Sequence, residues 1–171
     1  MKRKIVAILF TGLIVALAST AFVACGKGGG EKPLESIVGN TYKITKAQCN
    51  FSDENAKTSY LEEVGAETED ELIAIYINTN LTMVFTDNEK VTVKYTFDGE
   101  NNYNFYYSLS KDRKITFYKT AEDKQNGEKP VKNGIFRSTF SVSENNRTIS
   151  MIYSDGGSTP TVTMTCTVVG K

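Results

Sequence analysis

The sequence contains no histidine and no tryptophan, and only three cysteines and three prolines among its 171 residues. Without histidine the chain cannot form a Ser-His or Cys-His nucleophile pair, and it offers no imidazole ligand to a metal ion. Paired carboxylates can hydrolyse glycosides, but most of the acids lie in one insertion or in turns. No spacing of acids matches a calcium-binding loop. We therefore predict that the protein is not an enzyme and that it carries no metal or cofactor.

The chain also has no excess of charge of either sign, since it contains 20 Lys and Arg and 20 Asp and Glu. A nucleic-acid-binding domain needs a basic face. We therefore predict no nucleic-acid partner.

The N-terminus has the three parts of a secretory signal peptide. The three residues after Met1 are basic, residues 5–24 carry no charge, and the small residue Ala24 precedes Cys25. This arrangement resembles the lipobox of bacterial lipoproteins. The resemblance implies that the Cys25 thiol is acylated, that residues 1–24 are removed, and that the protein is held by lipid on the extracytoplasmic face of the bacterial cell membrane.

The alternative for residues 5–24 is an uncleaved membrane anchor, since about 20 apolar residues span a bilayer. The polar Thr11 and Ser19 inside the run argue against it. The Gly-rich segment that follows is typical of a flexible tether. We predict a signal peptide at 1–24, a lipidated tether at 25–36 and a β domain at 37–171.

The rest of the chain favours strands, because its nine Tyr, nine Phe and many Thr suit a pleated surface. A first strand is predicted at 41–47. From Leu81 onward, apolar and polar residues alternate through seven more segments separated by turn-forming residues. We predict an eight-stranded antiparallel meander. Apolar residues then face each other in three hairpins, which pair Phe85 with Val91, Phe97 with Tyr103, and Leu109 with Ile115.

Between the first and second strands the alternation stops and acids accumulate. Thr68, followed three residues later by Glu71, forms a capping box that predicts a helix at 69–77. A second short helix is predicted at 59–64. We therefore expect a short helical insertion, followed by a polar loop much later at 121–133.

The start of the domain, Ile37-Val38-Gly39-Asn40-Thr41-Tyr42-Lys43-Ile44, resembles the opening segment of small bacterial lipocalin-like domains. This resemblance implies that the first strand closes against the last to form a barrel, whose interior can hold a small ligand. A β-sandwich is the alternative architecture.

Cys49 and Cys166 fall on the predicted first and last strands. A disulfide between them is one possibility, because oxidation is allowed outside the cell. Alternation instead places Cys166 inward and Cys49 on the face of Thr41 and Thr45, which favours two separate thiols. A β-bulge in the first strand would remove this conflict.

Two features are candidates for ligand binding. The predicted register places Tyr106 opposite Tyr118 on the outer face, where the pair could bind a ligand or simply stabilise the hairpin. The barrel mouth near 48–72 is the other candidate. We predict a membrane-anchored surface lipoprotein that binds a small hydrophobic or glycan ligand. The alternative is an envelope protein with a structural or protein-interaction role and no small ligand.

Overall fold

The computed structural model describes residues 35–96, 99–154 and 159–170. The predicted signal peptide, the acylated Cys25 and most of the tether lie outside these residues. Phe97, predicted to pair with Tyr103, also lies outside them.

Within the described ranges the chain forms eight strands, three α-helices and one 3₁₀ turn. The strands are β1 (Thr41–Asn50), β2 (Thr82–Phe85), β3 (Lys90–Tyr95), β4 (Asn101–Leu109), β5 (Lys114–Tyr118), β6 (Thr139–Val142), β7 (Thr148–Tyr153) and β8 (Thr161–Gly170). The helices are α1 (Glu54–Val64), α2 (Glu69–Ile77) and α3 (Ala121–Asn126), and the 3₁₀ turn spans Gly134–Arg137.

The strands form a closed antiparallel barrel in chain order, with β1 bonded to both β2 and β8. The predicted barrel is therefore confirmed, and so is the helical insertion after the first strand. The alternative of a β-sandwich was wrong. The inward residues of every strand form one continuous core, which takes in Tyr42, Met83, Phe117, Phe140 and Met151.

A β-bulge in β1 changes which residues face the interior. The pairing with β8 passes from Ile44–Cys166 to Lys46–Thr165, which leaves Thr45 as an extra residue. After the bulge, Ala47 and Cys49 are buried. The strand continues to Asn50, three residues beyond the prediction, and the expected outward position of Cys49 was wrong.

The bulge does not bring the two thiols together. Cys49 pairs with Val162, whereas Cys166 pairs with Ile44. Cys166 therefore lies four residues along β8 from Val162, the partner of Cys49, and four residues of a strand span about 13 Å. A disulfide needs Cα atoms only about 4.4–6.8 Å apart. Both cysteines are free, as alternation favoured, but Cys49 is buried as well as Cys166.

The hairpin predictions were partly correct. Phe85 pairs with Val91, and Leu109 pairs with Ile115, as predicted. Tyr103, however, pairs with Val93 instead of Phe97, because β3 ends at Tyr95 and β4 begins at Asn101. The shift is an even number of residues, so each side chain keeps its predicted face.

The helices follow local capping signals. The side chain of Asp53 accepts a hydrogen bond from Ala56 N at 2.8 Å, so α1 begins five residues before the predicted start. Thr68 Oγ1 caps α2 by accepting a hydrogen bond from Glu71 N, and α2 has the predicted bounds. Helix α3 lies in the predicted polar loop. It is capped by Thr120, whose hydroxyl accepts from Asp123 N at 3.0 Å.

One end of the barrel is closed by aromatic rings. The Phe85 ring meets Tyr42 and Tyr107 edge to face, at centroid distances of 5.7 and 4.9 Å. The Tyr42 hydroxyl donates to the carbonyl of Asn146 at 2.5 Å, and that of Tyr107 donates to the carbonyl of Asp87 at 3.0 Å. These contacts join the interior to the turns at this end of the barrel.

We expect stability to fall in alkali and to change little between pH 6 and 8, because the chain has no histidine. Burial raises the pKa of Tyr42 to about 12, of Cys166 to about 12, and of Cys49 to about 11. A raised pKa means that the folded state favours the neutral form. The resulting stability is complete below the unfolded-state pKa of the thiols and phenol and is lost as pH rises toward 12.

Urea midpoints measured from pH 6 to 11.5 test this expectation. Tyr42→Phe should lower the midpoint at pH 7, because it removes a hydrogen bond worth about 1 kcal/mol. It should also flatten the decline above pH 10, since phenylalanine cannot ionise. A midpoint that stays constant from pH 8 to 11.5 would contradict the assignment.

Candidate functional site

The opposite end of the barrel opens into a cleft of about 310 Å³ beneath the helical insertion. Helices α1 and α2 supply one wall, and strand ends and the 3₁₀ turn supply the rest. The cleft, here called the mouth cleft, is lined by Tyr60, Tyr76, Thr79, Leu81, Tyr95, Gly134, Ile135, Ser138, Met151, Tyr153 and Met164. This is the region where the sequence predicted a barrel mouth.

Four tyrosines from different elements surround the mouth cleft. Tyr60 comes from α1 and Tyr76 from α2, whereas Tyr95 and Tyr153 are the last residues of β3 and β7. The hydroxyls of Tyr60 and Tyr76 lie 3.0 Å apart and share a hydrogen bond, which joins the two helices. The ring of Phe51 packs at 6.1 Å from that of Tyr60. The helical wall is therefore held by both polar and apolar contacts.

The phenol of Tyr76 is kept neutral. Burial is the main cause that raises its pKa, and the hydrogen bond with Tyr60 raises it further. The nearby Cys49 and Tyr153 act in the same direction. A neutral phenol both donates and accepts hydrogen bonds. The cleft thus offers uncharged polar groups to a ligand.

The floor of the mouth cleft is apolar. Leu81 and Met151 are almost completely buried, and Met164 and the half-buried Ile135 extend the same surface. Methionine side chains are flexible and polarisable, so they adapt to ligands of different shape. An apolar floor with a polar rim of tyrosines is the usual composition of a small-molecule site.

Ser138 is the one side chain in the described residues whose buried polar atom has no hydrogen-bond partner. It follows the 3₁₀ turn and lines the mouth cleft. An unpaired buried hydroxyl costs about 1–3 kcal/mol. A hydrogen-bonding group placed beside Ser138 would satisfy this hydroxyl.

The predicted pair Tyr106 and Tyr118 has the expected register, because the two residues are opposite each other on β4 and β5. The pair is not an exposed platform, however. Tyr118 is only 7% exposed, and α3 packs on the same two strands. The Tyr106 ring lies under the Lys90 ammonium at 5.9 Å. The expected exposure of Tyr118 was wrong, and neither tyrosine lines the mouth cleft; a ligand-binding role for the pair remains a prediction.

The sequence did not single out the side chains that line the mouth cleft. Tyr76 lies within the helix predicted at 69–77, and Tyr95 and Tyr153 lie in alternating segments predicted to be strands. The signal that could have located them is an aromatic residue at the last inward position of a strand, near a helical insertion.

No family model matches the chain, and no curated protein or solved structure matches it either. Among the described residues, no helix is both long and apolar enough to cross a bilayer. The same residues contain no group of three or more cysteines and acids placed to hold a metal ion.

Replacing Ser138 by alanine should not destabilise the protein, because the substitution removes a buried hydroxyl that has no partner. We expect a change between zero and about 1 kcal/mol of added stability. Ser143→Ala is the matched control, since the Ser143 hydroxyl donates to Asn145 and accepts from Thr148 N. That change should cost about 1 kcal/mol. Urea unfolding of both variants measures the difference, and an equal loss in both would contradict the assignment of Ser138.

Proposed function

We propose that this protein is a lipid-anchored, extracytoplasmic binding protein that holds a small, mainly apolar molecule in the mouth cleft. The observation that supports this most directly is the composition of the cleft, an apolar floor under a rim of four tyrosines. Clefts of about 300–1,000 Å³ bind small molecules. A volume of about 310 Å³ is at the lower end of that range.

The lining favours an apolar ligand over a glycan. A sugar presents many hydroxyls, and each one buried without a partner costs free energy. The floor offers Leu81, Ile135 and two methionines in place of hydrogen-bonding side chains. The tyrosine hydroxyls and Ser138 suffice for one or two polar groups on the ligand. We therefore favour a small aromatic or aliphatic molecule with a hydrogen-bonding end.

The lipid anchor fits this role. Acylation of Cys25 would hold the domain at a membrane surface, since each buried methylene contributes about 0.8 kcal/mol and several chains hold firmly. Apolar molecules partition into membranes from water. A binding site tethered there would meet a higher local concentration of such ligands than a free protein would.

The second candidate function is protein interaction through the helical insertion. The exposed faces of α1 and α2 carry Glu62, Glu63 and Asp70. Val64 and Ile75 lie among these acids and are 37% and 39% exposed. A partner with a basic and partly apolar surface would complement this face. In this case no small molecule would stabilise the protein.

A single introduced tryptophan can locate the ligand, because the chain has none of its own. We expect Tyr153→Trp to change its fluorescence when an apolar ligand such as N-phenyl-1-naphthylamine is added. Tyr106→Trp, on the outer face of β4, is the matched control and should not respond. The ligand should also raise the melting temperature, because it binds only the folded state.

Other outcomes separate the candidates. A response of Tyr106→Trp alone would assign the ligand to the outer tyrosine pair. Stabilisation by glycans, with none by apolar molecules, would contradict the preference for an apolar ligand. A panel of both that shifts neither the fluorescence nor the melting temperature would favour the interaction role.

Replacing Cys25 by alanine tests the anchor. We expect the variant to lose metabolic labelling with a fatty acid. Cys49→Ala is the matched control, since Cys49 lies inside the barrel, and it should keep the label. A Cys25→Ala variant that is still labelled would contradict the lipoprotein assignment.

A further inference from the structure

The barrel wall is incomplete between β5 and β6. These strands share two paired positions, Lys114 with Ser141 and Ile115 with Phe140. Beyond them the strands separate, and the backbone N–H of Val131 donates to the carbonyl of Phe117 at 2.8 Å, a position that β6 would otherwise occupy. The gap forms a second cleft of about 690 Å³, here called the seam cleft.

The floor of the seam cleft is aromatic. Phe117, Phe136 and Phe140 line it and pack against one another, with ring centroids 4.9–6.4 Å apart. Ile115 and Val131 complete the apolar surface. The outside of the barrel thus has a groove that leads to the rings of the core.

The rim of the seam cleft is positively charged. Lys114 and Lys132 are both exposed there, and no acid is found among the twelve residues that line the cleft. The segment that joins β5 to β6 carries Glu122, Asp123 and Glu128, none of which lines the cleft, and the Asp123 carboxylate lies 3.9 Å from the Lys129 ammonium. The combination of two lysines and an aromatic floor is complementary to a molecule with an anionic head and an apolar body.

We propose that the seam cleft binds a small amphipathic anion, a carboxylate or phosphate attached to an apolar chain. The ammonium groups of Lys114 and Lys132 attract the anionic head. The apolar chain of the ligand lies against Phe117, Phe136 and Phe140. This site differs from the mouth cleft in charge and in position, although Ser138 borders both.

The test uses the complete chain carrying Cys25→Ser, with decanoate and decyl phosphate as probes below their micelle concentrations. Decyltrimethylammonium is the probe of opposite charge. Isothermal titration calorimetry compares this protein with a Lys114→Gln/Lys132→Gln double variant. The matched control is Lys43→Gln/Lys46→Gln, which removes the same charge from exposed positions of β1. A Thr116→Trp variant reports directly on the seam cleft, since Thr116 lines it.

Both anions should bind, and the cation should not. The seam double variant should weaken anion binding about tenfold, as expected when charge-assisted hydrogen bonds are lost. The β1 double variant should bind as before. The relative affinity for decanoate and decyl phosphate identifies which head group the site prefers.

Three results would overturn the proposal: no binding of either anion, equal weakening in both double variants, or binding of the cation with the same affinity. The fluorescence variants separate this site from the mouth cleft. Decanoate should change the emission of Thr116→Trp and leave that of Tyr153→Trp unchanged. A response at Tyr153→Trp alone would place the anion in the mouth and refute the seam site without affecting the function proposed for the mouth.

Discussion

The pairing of β1 with β8 is the constraint on which the rest of the structure depends. It joins nine pairs of residues, from Thr41–Gly170 to Asn50–Thr161, and is the longest pairing in the described barrel. Once the two ends of the meander are joined, every strand has a bonded neighbour on both sides, although β5 and β6 share only two paired positions. Joining them also decides which residues are inside, because the bulge at Thr45 turns Ala47 and Cys49 toward the core. The mouth cleft exists because this closed wall ends beneath α1 and α2.

The alternation of apolar and polar residues was enough to predict eight strands and their inner faces, but it could not determine every register. A pattern that repeats every two residues looks the same after a shift by an even number. Tyr103 therefore kept its predicted face while pairing with Val93 instead of Phe97. A bulge of one residue is equally invisible to the pattern, so the burial of Cys49 was missed. Helix α3 was missed because its residues are polar and it is only six residues long, with Thr120 as its main signal.

The position of the candidate site was easier to predict than its residues. A helical insertion after β1 had to lie over one end of the barrel, which located the mouth. The residues that form the cleft come from two helices, three strands, the 3₁₀ turn and adjoining loops, and their approach depends on tertiary packing that no local pattern encodes. For Tyr106 and Tyr118, by contrast, the residues and their pairing were predictable from one hairpin. The burial of Tyr118 was not, because it depends on α3.

The short β5–β6 pairing has a consequence for the motions of the molecule. A closed ring of strands opens first where the fewest backbone hydrogen bonds must break, and here that place has only two paired positions. Transient openings should therefore concentrate between Lys114 and Phe140, while the long β1–β8 pairing stays intact. The same place separates solvent from the rings of the core. The rate at which small molecules reach the interior would then depend on transient opening of the β5–β6 pairing as well as on the helices above the mouth.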